Sequence, residues 1–190
     1  MILDCVRLEP ASELGYALVT TRPVRCGTVT MVECARCGRI TPAEARAAGR
    51  LAFVTSHAPI TRWTYPDFLE PCDPRIYYGN HSCDANTLDT HLGFDIAVRD
   101  IPAGTELSVD YRRFLDRTID FPCRCRAVRC CGRVRCLAVP AEVEEVWSQR
   151  LTAALERVPR LEQPLLFRPE AALARQRYRA WTASRRAPSG

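Results

Sequence analysis

Lysine is missing from the sequence: all 27 residues that carry a permanent positive charge are arginines. Arginine, alanine and proline codons are rich in G and C, so a GC-rich genome explains this composition. A protein without lysine is also one that cannot be modified on lysine side chains of its own. The codon explanation is the simpler of the two, and it leaves function open.

Long apolar runs are missing as well, although 47% of the 190 residues are hydrophobic. No run approaches the length of a helix that spans a bilayer. The first residues, Met1 to Cys5, include an acidic residue where a secretion signal carries basic ones, and no long apolar core follows them. We therefore expect an intracellular, cytoplasmic, globular protein with no membrane partner and room for one domain plus a helical appendage.

Acidic residues are absent from two segments, 122–136 and 171–190, each of which carries five arginines. The remainder holds 17 arginines against 22 acidic residues, so the body of the protein is mildly acidic. Such a body suits a cationic substrate, and it equally suits an ordinary solvated surface. The arginine-rich tail is compatible with a nucleic-acid or acidic partner, but a solvated helix end is the simpler interpretation.

The first 137 residues are predicted to be mostly β. Strands are predicted at 14–21 and 28–33, separated by a proline and a glycine. A short strand is expected near 65–69 in a loop-rich stretch. Alternating residues at 96–98 and a β-rich run at 106–111 predict two strands joined by a Pro-Ala-Gly turn.

Helices are predicted elsewhere. A capping threonine, a proline and a glutamate at the start of 41–49 predict a short helix there. After Pro140, apolar residues recur at helical spacing and define one buried face. That face comprises Val143, Val146, Trp147, Leu151, Ala154 and Leu155. Another helix is predicted from Pro169 into the arginine-rich end.

Among the 11 cysteines of the chain, the clustered ones favour a metal site over disulfides, because disulfides are rare in a reducing compartment. A redox cluster or a set of free thiols is the alternative. Cys123-x-Cys125-x4-Cys130 places three thiols within eight residues. Zinc binds four soft ligands in a tetrahedron, so a fourth ligand must come from elsewhere. The candidates are Cys131, Cys136 and a distant cysteine such as that of the Asn-His-Ser-Cys stretch at 80–83.

A second cysteine pair, Cys34-x-x-Cys37, is compatible with half a zinc site or a redox pair. It lacks an obvious partner, so we interpret it as two reduced structural thiols. His57 and His91 are isolated and are interpreted as ordinary surface or loop residues.

Four motifs then follow one another at compatible spacing. They are YGNHSCDAN at 78–86, IAVRDIPAGTEL at 96–107, SVDY at 108–111 and the CxCx4CxG pattern at 123–132. In this order they resemble the SET-domain methyltransferases that carry a post-SET zinc segment. That family has NHSCxPN, a RDIxxGEEL hairpin, a strand that ends in DY and then CxCx4CxG. Gly15-Tyr16-Ala17 resembles the family's opening GxG hairpin more loosely, and the resemblance covers about 137 residues.

The resemblance implies a SET-domain fold, mostly β with a helical C-terminus, built of small curved sheets around a pseudoknot-like cofactor and active site. It implies a SET domain at 1–121, a post-SET zinc-binding segment at 122–137 and helices at 138–190. The implied activity is transfer of methyl groups from S-adenosylmethionine to an amine, in most members a protein or peptide lysine.

The resemblance also assigns roles to residues of this chain. Asn80 and His81 would hold the cofactor, and Gly15, Tyr16 and Ala17 would approach it from the opening hairpin. The Tyr111 hydroxyl would stand at the methyl-transfer channel. Cys83 would join Cys123, Cys125 and Cys130 on one structural zinc ion. Taken alone, Tyr111 is equally well explained as a buried tyrosine whose hydroxyl bonds to the main chain.

Some positions depart from the family pattern. Ala17 replaces the second glycine of the opening motif, and Val109 replaces an aromatic residue that influences how many methyl groups fit. Phe94 or Tyr65 could supply an aromatic to the substrate channel instead. After Gly132, the aromatic residue that could stack on the adenine is Trp147.

Two other functions remain open at the level of sequence. A SET-type enzyme could act on a small-molecule or natural-product amine, since the chain shows no appended recognition domain. A zinc-stapled interaction module that has lost catalysis is the alternative of another class. The residues Asn80, His81 and Tyr111 argue against that module, whereas the changed Ala17 and Val109 favour it.

Overall fold

The computed structural model describes residues 1–11, 15–33, 38–40, 68–70, 73–113, 120–135 and 139–186. The strands in these residues are β1 (Val6–Ala11), β2 (Gly15–Thr20), β3 (Val29–Val32), β4 (Gly38–Ile40), β5 (Phe68–Glu70), β6 (Asn80–His81), β7 (Thr87–Asp89), β8 (Phe94–Ala97), β9 (Ser108–Val109), β10 (Asp120–Pro122) and β11 (Arg133–Arg135). The helices are α1 (Ala141–Leu155) and α2 (Ala172–Arg186), with 3-10 turns at Pro74–Tyr78, Tyr111–Arg113, Val158–Arg160 and Pro169–Ala171.

The largest sheet of the described residues has five strands in the order β3-β8-β7-β9-β6. β3, β8 and β7 run antiparallel, whereas β9 runs parallel to both β7 and β6. All four residues of β3 and of β8 are buried, which explains why both sequences are short and largely apolar rather than alternating. Three two-stranded sheets, β1-β2, β4-β5 and β10-β11, accompany it.

The chain between β8 and β9 leaves this sheet and contacts the segment around β2. Val24 and Ile101 exchange two backbone hydrogen bonds of 2.8 Å, and the Leu107 N–H donates to the Leu18 carbonyl at 2.7 Å. In the sheet, β7 lies between β8 and β9. The prediction that β8 and β9 form a hairpin is therefore wrong. The residues after the Pro-Ala-Gly turn pair with the β2 region because their backbone groups are satisfied there, not on β8.

The helical segment after residue 140 shares one core with the strands. The buried Gln163 amide accepts the Val29 N–H at 2.9 Å and donates to the Gly27 carbonyl at 2.8 Å. Gly27 has φ +95°, and a Cβ there would lie 2.7 Å from the Cβ of Arg157. Only glycine tolerates both conditions, so this contact fixes how closely the helices approach the strands.

Several predictions of local structure are confirmed. β2 and β3 fall within the strands predicted at 14–21 and 28–33, and α1 buries Trp147, Ala154 and Leu155 of its predicted face. α2 follows a 3-10 turn that begins at Pro169. The fold class, mostly β with a helical C-terminus, is also confirmed. The helix predicted at 41–49 lies outside the described residues, and no helix within them is long and apolar enough to cross a bilayer.

Candidate active site

Tyr111 occupies the turn directly after β9, not the strand itself. Its hydroxyl donates to the Gly79 carbonyl at 2.6 Å, and its ring packs near His81 and Phe121, at 5.5 and 6.1 Å between centroids. Burial, with the charge of Glu106, raises the pKa of Tyr111 to about 12. The phenol therefore stays protonated at neutral pH, and its oxygen keeps acceptor capacity after donating to Gly79.

Asn80 ties β6 to the opening hairpin. Its Nδ2 donates to the Tyr16 carbonyl at 2.9 Å and to Glu106 Oε1 at 2.7 Å. The side chain of Asn80 thus fixes the start of β2 relative to the segment before β9. Tyr16 is 45% exposed and makes an edge contact with Tyr78, with centroids 5.4 Å apart.

His81 is neutral and holds a defined tautomer. Burial lowers its pKa to about 4, although the Asp110 carboxylate, with its Oδ1 3.7 Å from Nδ1, acts in the opposite direction. The Tyr111 N–H donates to His81 Nδ1 at 3.1 Å. A neutral imidazole carries one proton, so that proton sits on Nε2, which lies 3.3 Å from Cys83 Sγ. His81 therefore connects the backbone of Tyr111 to a cysteine of the predicted zinc site.

A buried ion pair between Asp110 and Arg112 holds the backbone on both sides of Tyr111. Arg112 Nε and Nη2 donate to the two Asp110 carboxylate oxygens at 2.9 and 2.6 Å, and both side chains are at most 5% exposed. Arg112 Nη2 also donates to the Cys83 carbonyl at 3.3 Å. Two residues that flank Tyr111 are therefore fixed by a bidentate contact, which limits the motion of the tyrosine between them.

A cleft of about 600 Å³ opens beside Tyr111. Its walls combine residues of three motifs with the segment that follows β10. The lining residues are Ala11, Asn80, His81, Ser82, Glu106, Ser108, Tyr111, Phe121, Pro122, Arg124, Cys125 and Arg126. The structure thus brings Asn80, His81 and Tyr111 to one cleft, as their assigned roles require.

The opening hairpin reaches only the rim of this cleft. Gly15, with φ +79°, pairs with Ala11, which lines the cleft, and Tyr16 contacts Asn80 through its carbonyl. Ala17 is 6% exposed and belongs to the buried residues, so its side chain points into the protein. None of the three is among the described lining residues.

The three residues predicted to line the substrate channel do not lie together in the described structure. Val109 is buried, and its Cγ2 would lie 3.7 Å from a Cβ built on Gly79. Val109 is therefore close to Gly79, whose carbonyl accepts the hydrogen bond of the Tyr111 hydroxyl. Phe94 does not reach the cleft: it is 1% exposed and packs against Tyr178 of α2, with centroids 6.3 Å apart. β8 places it on the side of the sheet that the helices cover. Tyr65 lies outside the described residues.

Trp147, nominated for the adenine, is also placed elsewhere. It is 6% exposed, and the guanidinium groups of Arg112 and Arg113 lie 5.5 and 5.1 Å from its ring centroid. These cation–π contacts make it part of the support beneath Tyr111. The aromatic residue that does line the cleft is Phe121, which sequence reasoning missed. Its signal was an aromatic directly before the Pro-Cys that opens the cysteine segment.

Five described cysteines cluster next to the cleft. Cys83 Sγ lies 3.7 Å from Cys123 Sγ and 3.4 Å from Cys131 Sγ. The ligand atoms of His81, Cys83, Cys123 and Cys125 all lie within 4.8 Å of one another, and Cys130 contacts Cys123. Zn–S bonds of about 2.3 Å in a tetrahedron place sulfur atoms about 3.8 Å apart, so the Cys83–Cys123 distance fits a shared ion.

Hydrogen bonds distinguish the four predicted ligands from the other groups. Backbone N–H groups donate to Cys83 Sγ, Cys125 Sγ and Cys130 Sγ, each at 3.4 Å, and that of Cys125 favours ionisation of Cys123. The donors to Cys83 and Cys125 act to lower the pKa values of these two thiols. The Cys131 thiol instead donates to the Arg133 carbonyl at 3.1 Å.

The cluster also contains one easily ionised thiol. Burial raises the pKa of Cys125, but backbone donors from Cys83 and Ala127 and the neighbouring thiols outweigh it and lower the value to about 7. Burial raises the pKa of Cys83, and it raises that of Cys123 to about 12. Stable ionisation of these partly buried, closely spaced thiols together requires a cation, so the donor set fits zinc.

Comparison with known families places this chain. The family model described as the SET domain matches residues 15–112, just over half of the 190 residues. The chain therefore belongs to the SET-domain family. This membership supports methyltransferase activity in general terms.

Two solved structures are similar to this chain. One is described as the crystal structure of KRYPTONITE in complex with mCHG DNA and SAH, with 16% identity and a TM-score of 0.48, covering 67% of this chain and 28% of that one. The other is the methyltransferase domain of human histone-lysine N-methyltransferase SETMAR, with 19% identity and a TM-score of 0.48, covering 67% of this chain and 56% of that one. This chain therefore spans about a quarter and about half of their lengths, and no curated protein matches it.

Proposed function

We propose that the protein is an S-adenosylmethionine-dependent N-methyltransferase that modifies lysine side chains of another protein. The observation that carries this proposal is the single cleft that Asn80, His81 and Tyr111 line together. These residues come from two family motifs that are about 30 residues apart, and the parallel pairing of β6 with β9 makes them neighbours.

The cleft has the size and the groups that this cofactor needs. Its volume of about 600 Å³ lies within the range of about 300 to 1,000 Å³ that is usual for ligand pockets. Arg124 and Arg126 offer positive charge for a carboxylate, Glu106 offers negative charge for an ammonium group, and Phe121 offers a ring for the adenine. Asn80 and His81 would hold the cofactor between these groups.

S-adenosylmethionine would supply a methyl group on a sulfonium, which a neutral amine attacks in line. Tyr111 would stand at the transfer point and orient that amine, because its hydroxyl is fixed on the Gly79 carbonyl. With a pKa of about 12, Tyr111 is not the base that removes the ammonium proton. Its oxygen would instead accept hydrogen bonds from the polarised groups around it, and the proton would leave through the open side of the cleft to water.

Zinc would be structural in this enzyme, held by Cys83, Cys123, Cys125 and Cys130. Cys125 and the neighbouring Arg124 and Arg126 line the cleft, so the ion would hold one wall of the cofactor site. We place His81 outside the ligand set, because its Nδ1 accepts from the Tyr111 N–H and its Nε2 would then carry the proton. It would donate that proton to the zinc-bound Cys83 sulfur, as outer-shell partners of metal sites commonly do.

Methyl transfer from labelled S-adenosylmethionine into a protein lysate tests the proposal. The chain has no lysine, so label on lysine in such a mixture belongs to its substrates and not to the enzyme itself. We expect labelled proteins whose hydrolysates contain methylated lysine, and much slower labelling with the Tyr111→Phe variant. Label that enters only small molecules would indicate an amine substrate of that class. A calorimetric titration with S-adenosylmethionine that detects no binding would indicate the non-catalytic module and contradict the proposal.

Product multiplicity is expected to exceed one methyl group. Val109 is smaller than the aromatic residue common at this position, and it cannot hold a water that blocks rotation of the methylated amine. Val109→Phe is expected to shift the product toward monomethyl-lysine, with Val109→Ala as the matched control that keeps the space. Mass spectrometry of the product under excess cofactor measures this. Only monomethyl product, unchanged by Val109→Ala, would show that another residue closes the pocket.

A further inference from the structure

Cys131 differs from the four cysteines assigned to zinc. Cys131 is exposed, and its Sγ lies 3.4 Å from Cys83 Sγ. The backbone N–H of Cys131 donates to Cys83 Sγ. The Cys131 S–H donates to the Arg133 carbonyl at 3.1 Å, so its sulfur already has a hydrogen-bond partner in the protein. The family pattern CxCx4CxG leaves this position variable, so the cluster here holds a fifth cysteine beyond the four ligands.

We propose that Cys131 is an oxidation site whose disulfide with Cys83 removes one ligand from the zinc. The inference rests on the proposed zinc site. Exposure gives an oxidant access to Cys131, and the distance of 3.4 Å to Cys83 Sγ places the second sulfur at contact distance. Cys123 Sγ lies 3.7 Å from Cys83 Sγ, but Cys123 would be a ligand of the same ion.

The oxidant would be a peroxide, and the chemistry runs in two steps. The Cys131 sulfur attacks the peroxide, the O–O bond breaks, and the products are a sulfenic acid and water (or an alcohol from an organic peroxide). The Cys83 thiolate then attacks the sulfenic sulfur, the S–O bond breaks and hydroxide leaves. Two sulfur atoms together lose two electrons, the peroxide gains them, and zinc is left with three thiolates.

Loss of Cys83 from the ion would reach the active site through two contacts. Cys83 Sγ receives His81 Nε2–H, and the Cys83 carbonyl receives Arg112 Nη2. His81 in turn receives the Tyr111 N–H, and Arg112 is clamped to Asp110. Movement of Cys83 toward Cys131 would therefore disturb both supports of Tyr111 and the cysteine segment that walls the cleft.

Peroxide treatment of the zinc-loaded chain tests the inference. Zinc content is measured first, so that a chain without zinc, which would refute the proposed zinc site, is recognised before oxidation. We then expect release of the bound zinc, seen with a colorimetric chelator, together with one disulfide. Trypsin cuts after arginine, so this disulfide should join peptide 76–99 to peptide 130–133. A reductant with added zinc should reverse both changes.

Cys131→Ser is the decisive variant because Cys131 lies outside the proposed catalytic and metal-binding groups. It is expected to bind zinc and retain basal activity, but to keep its zinc under peroxide that strips the native chain. Fragmentation of the linked peptide should place the bond on Cys131 and not on Cys130. Zinc loss at the native rate from Cys131→Ser, or a bond from Cys83 to Cys130 or Cys123, would overturn the inference.

Discussion

Replacing Tyr111 with phenylalanine is expected to lower turnover by about 10²- to 10³-fold, the loss typical of one removed group that stabilises a transition state. Cofactor affinity should change little. The ring would keep its contacts with His81 and Phe121, and the lost hydroxyl makes its described hydrogen bond to the Gly79 carbonyl, not to the cleft walls. Single-turnover kinetics with saturating cofactor measure the first effect, and calorimetric titration measures the second.

Asn80→Ala provides the contrast. Its side chain joins Tyr16 to Glu106 at the rim of the cleft, so its loss should weaken cofactor binding more than it slows the bound complex. Equal loss of binding in the Tyr111 and Asn80 variants would contradict this division of roles. A thermal melt of Tyr111→Phe serves as the control for folding, because one neutral hydrogen bond contributes only about 1 kcal/mol to the free energy of unfolding.

The convergence of Asn80, His81 and Tyr111 on one cleft could be predicted from the sequence because their placement depends on local motifs. Asn80 and His81 form β6, and Ser108 and Val109 form β9 just before Tyr111, so pairing of two short strands is enough to bring the motifs together. The spacing of the motifs predicted that they lie close together, although it did not predict that β6 and β9 run parallel. The proposed zinc ligands were likewise favoured by spacing, and the structure brings the sulfur atoms of Cys83, Cys123 and Cys125 within 4.8 Å of one another.

The channel residues could not be predicted in the same way. A strand pattern shows that a residue such as Phe94 is buried, but it does not show which neighbour covers it. Phe94 faces Tyr178, a residue 84 positions later in a helix that carries no family motif. Trp147 shows the same limitation, since its burial against Arg112 and Arg113 depends on where α1 docks.

The path between β8 and β9 was predicted wrongly for a related reason. A turn flanked by two β-rich runs normally indicates a hairpin. Here the residues around that turn bond to Val24 and Leu18 instead, and β7 takes the place beside β8. Pairing over such a distance depends on the whole fold, whereas the local pattern is the same in both cases.

Cys83→Ser is expected to abolish tight zinc binding, from about one equivalent per chain to none. Structural zinc contributes about 10 to 16 kcal/mol of apparent binding free energy in zinc-finger peptides, and here this energy would fold the segment 120–135. That segment includes β10 and β11 and supplies Phe121, Arg124 and Arg126 to the cleft. Cofactor affinity should therefore fall together with the metal. Metal analysis, limited proteolysis after arginines 124 and 126 and calorimetry measure the three effects.

Two further variants decide which residue is the fourth ligand. Cys130→Ser should lose zinc as Cys83→Ser does, because it removes one of the four sulfur ligands of the proposed site. His81→Asn should retain zinc, since the asparagine oxygen replaces Nδ1 as acceptor for the Tyr111 N–H and only a donor to Cys83 Sγ is removed. The opposite pattern, with zinc lost from His81→Asn and kept by Cys130→Ser, would make His81 the ligand. In that case His81 Nε2 could not carry a proton, and the hydrogen-bonding pattern that joins Tyr111 to the cysteine cluster would have to be reassigned.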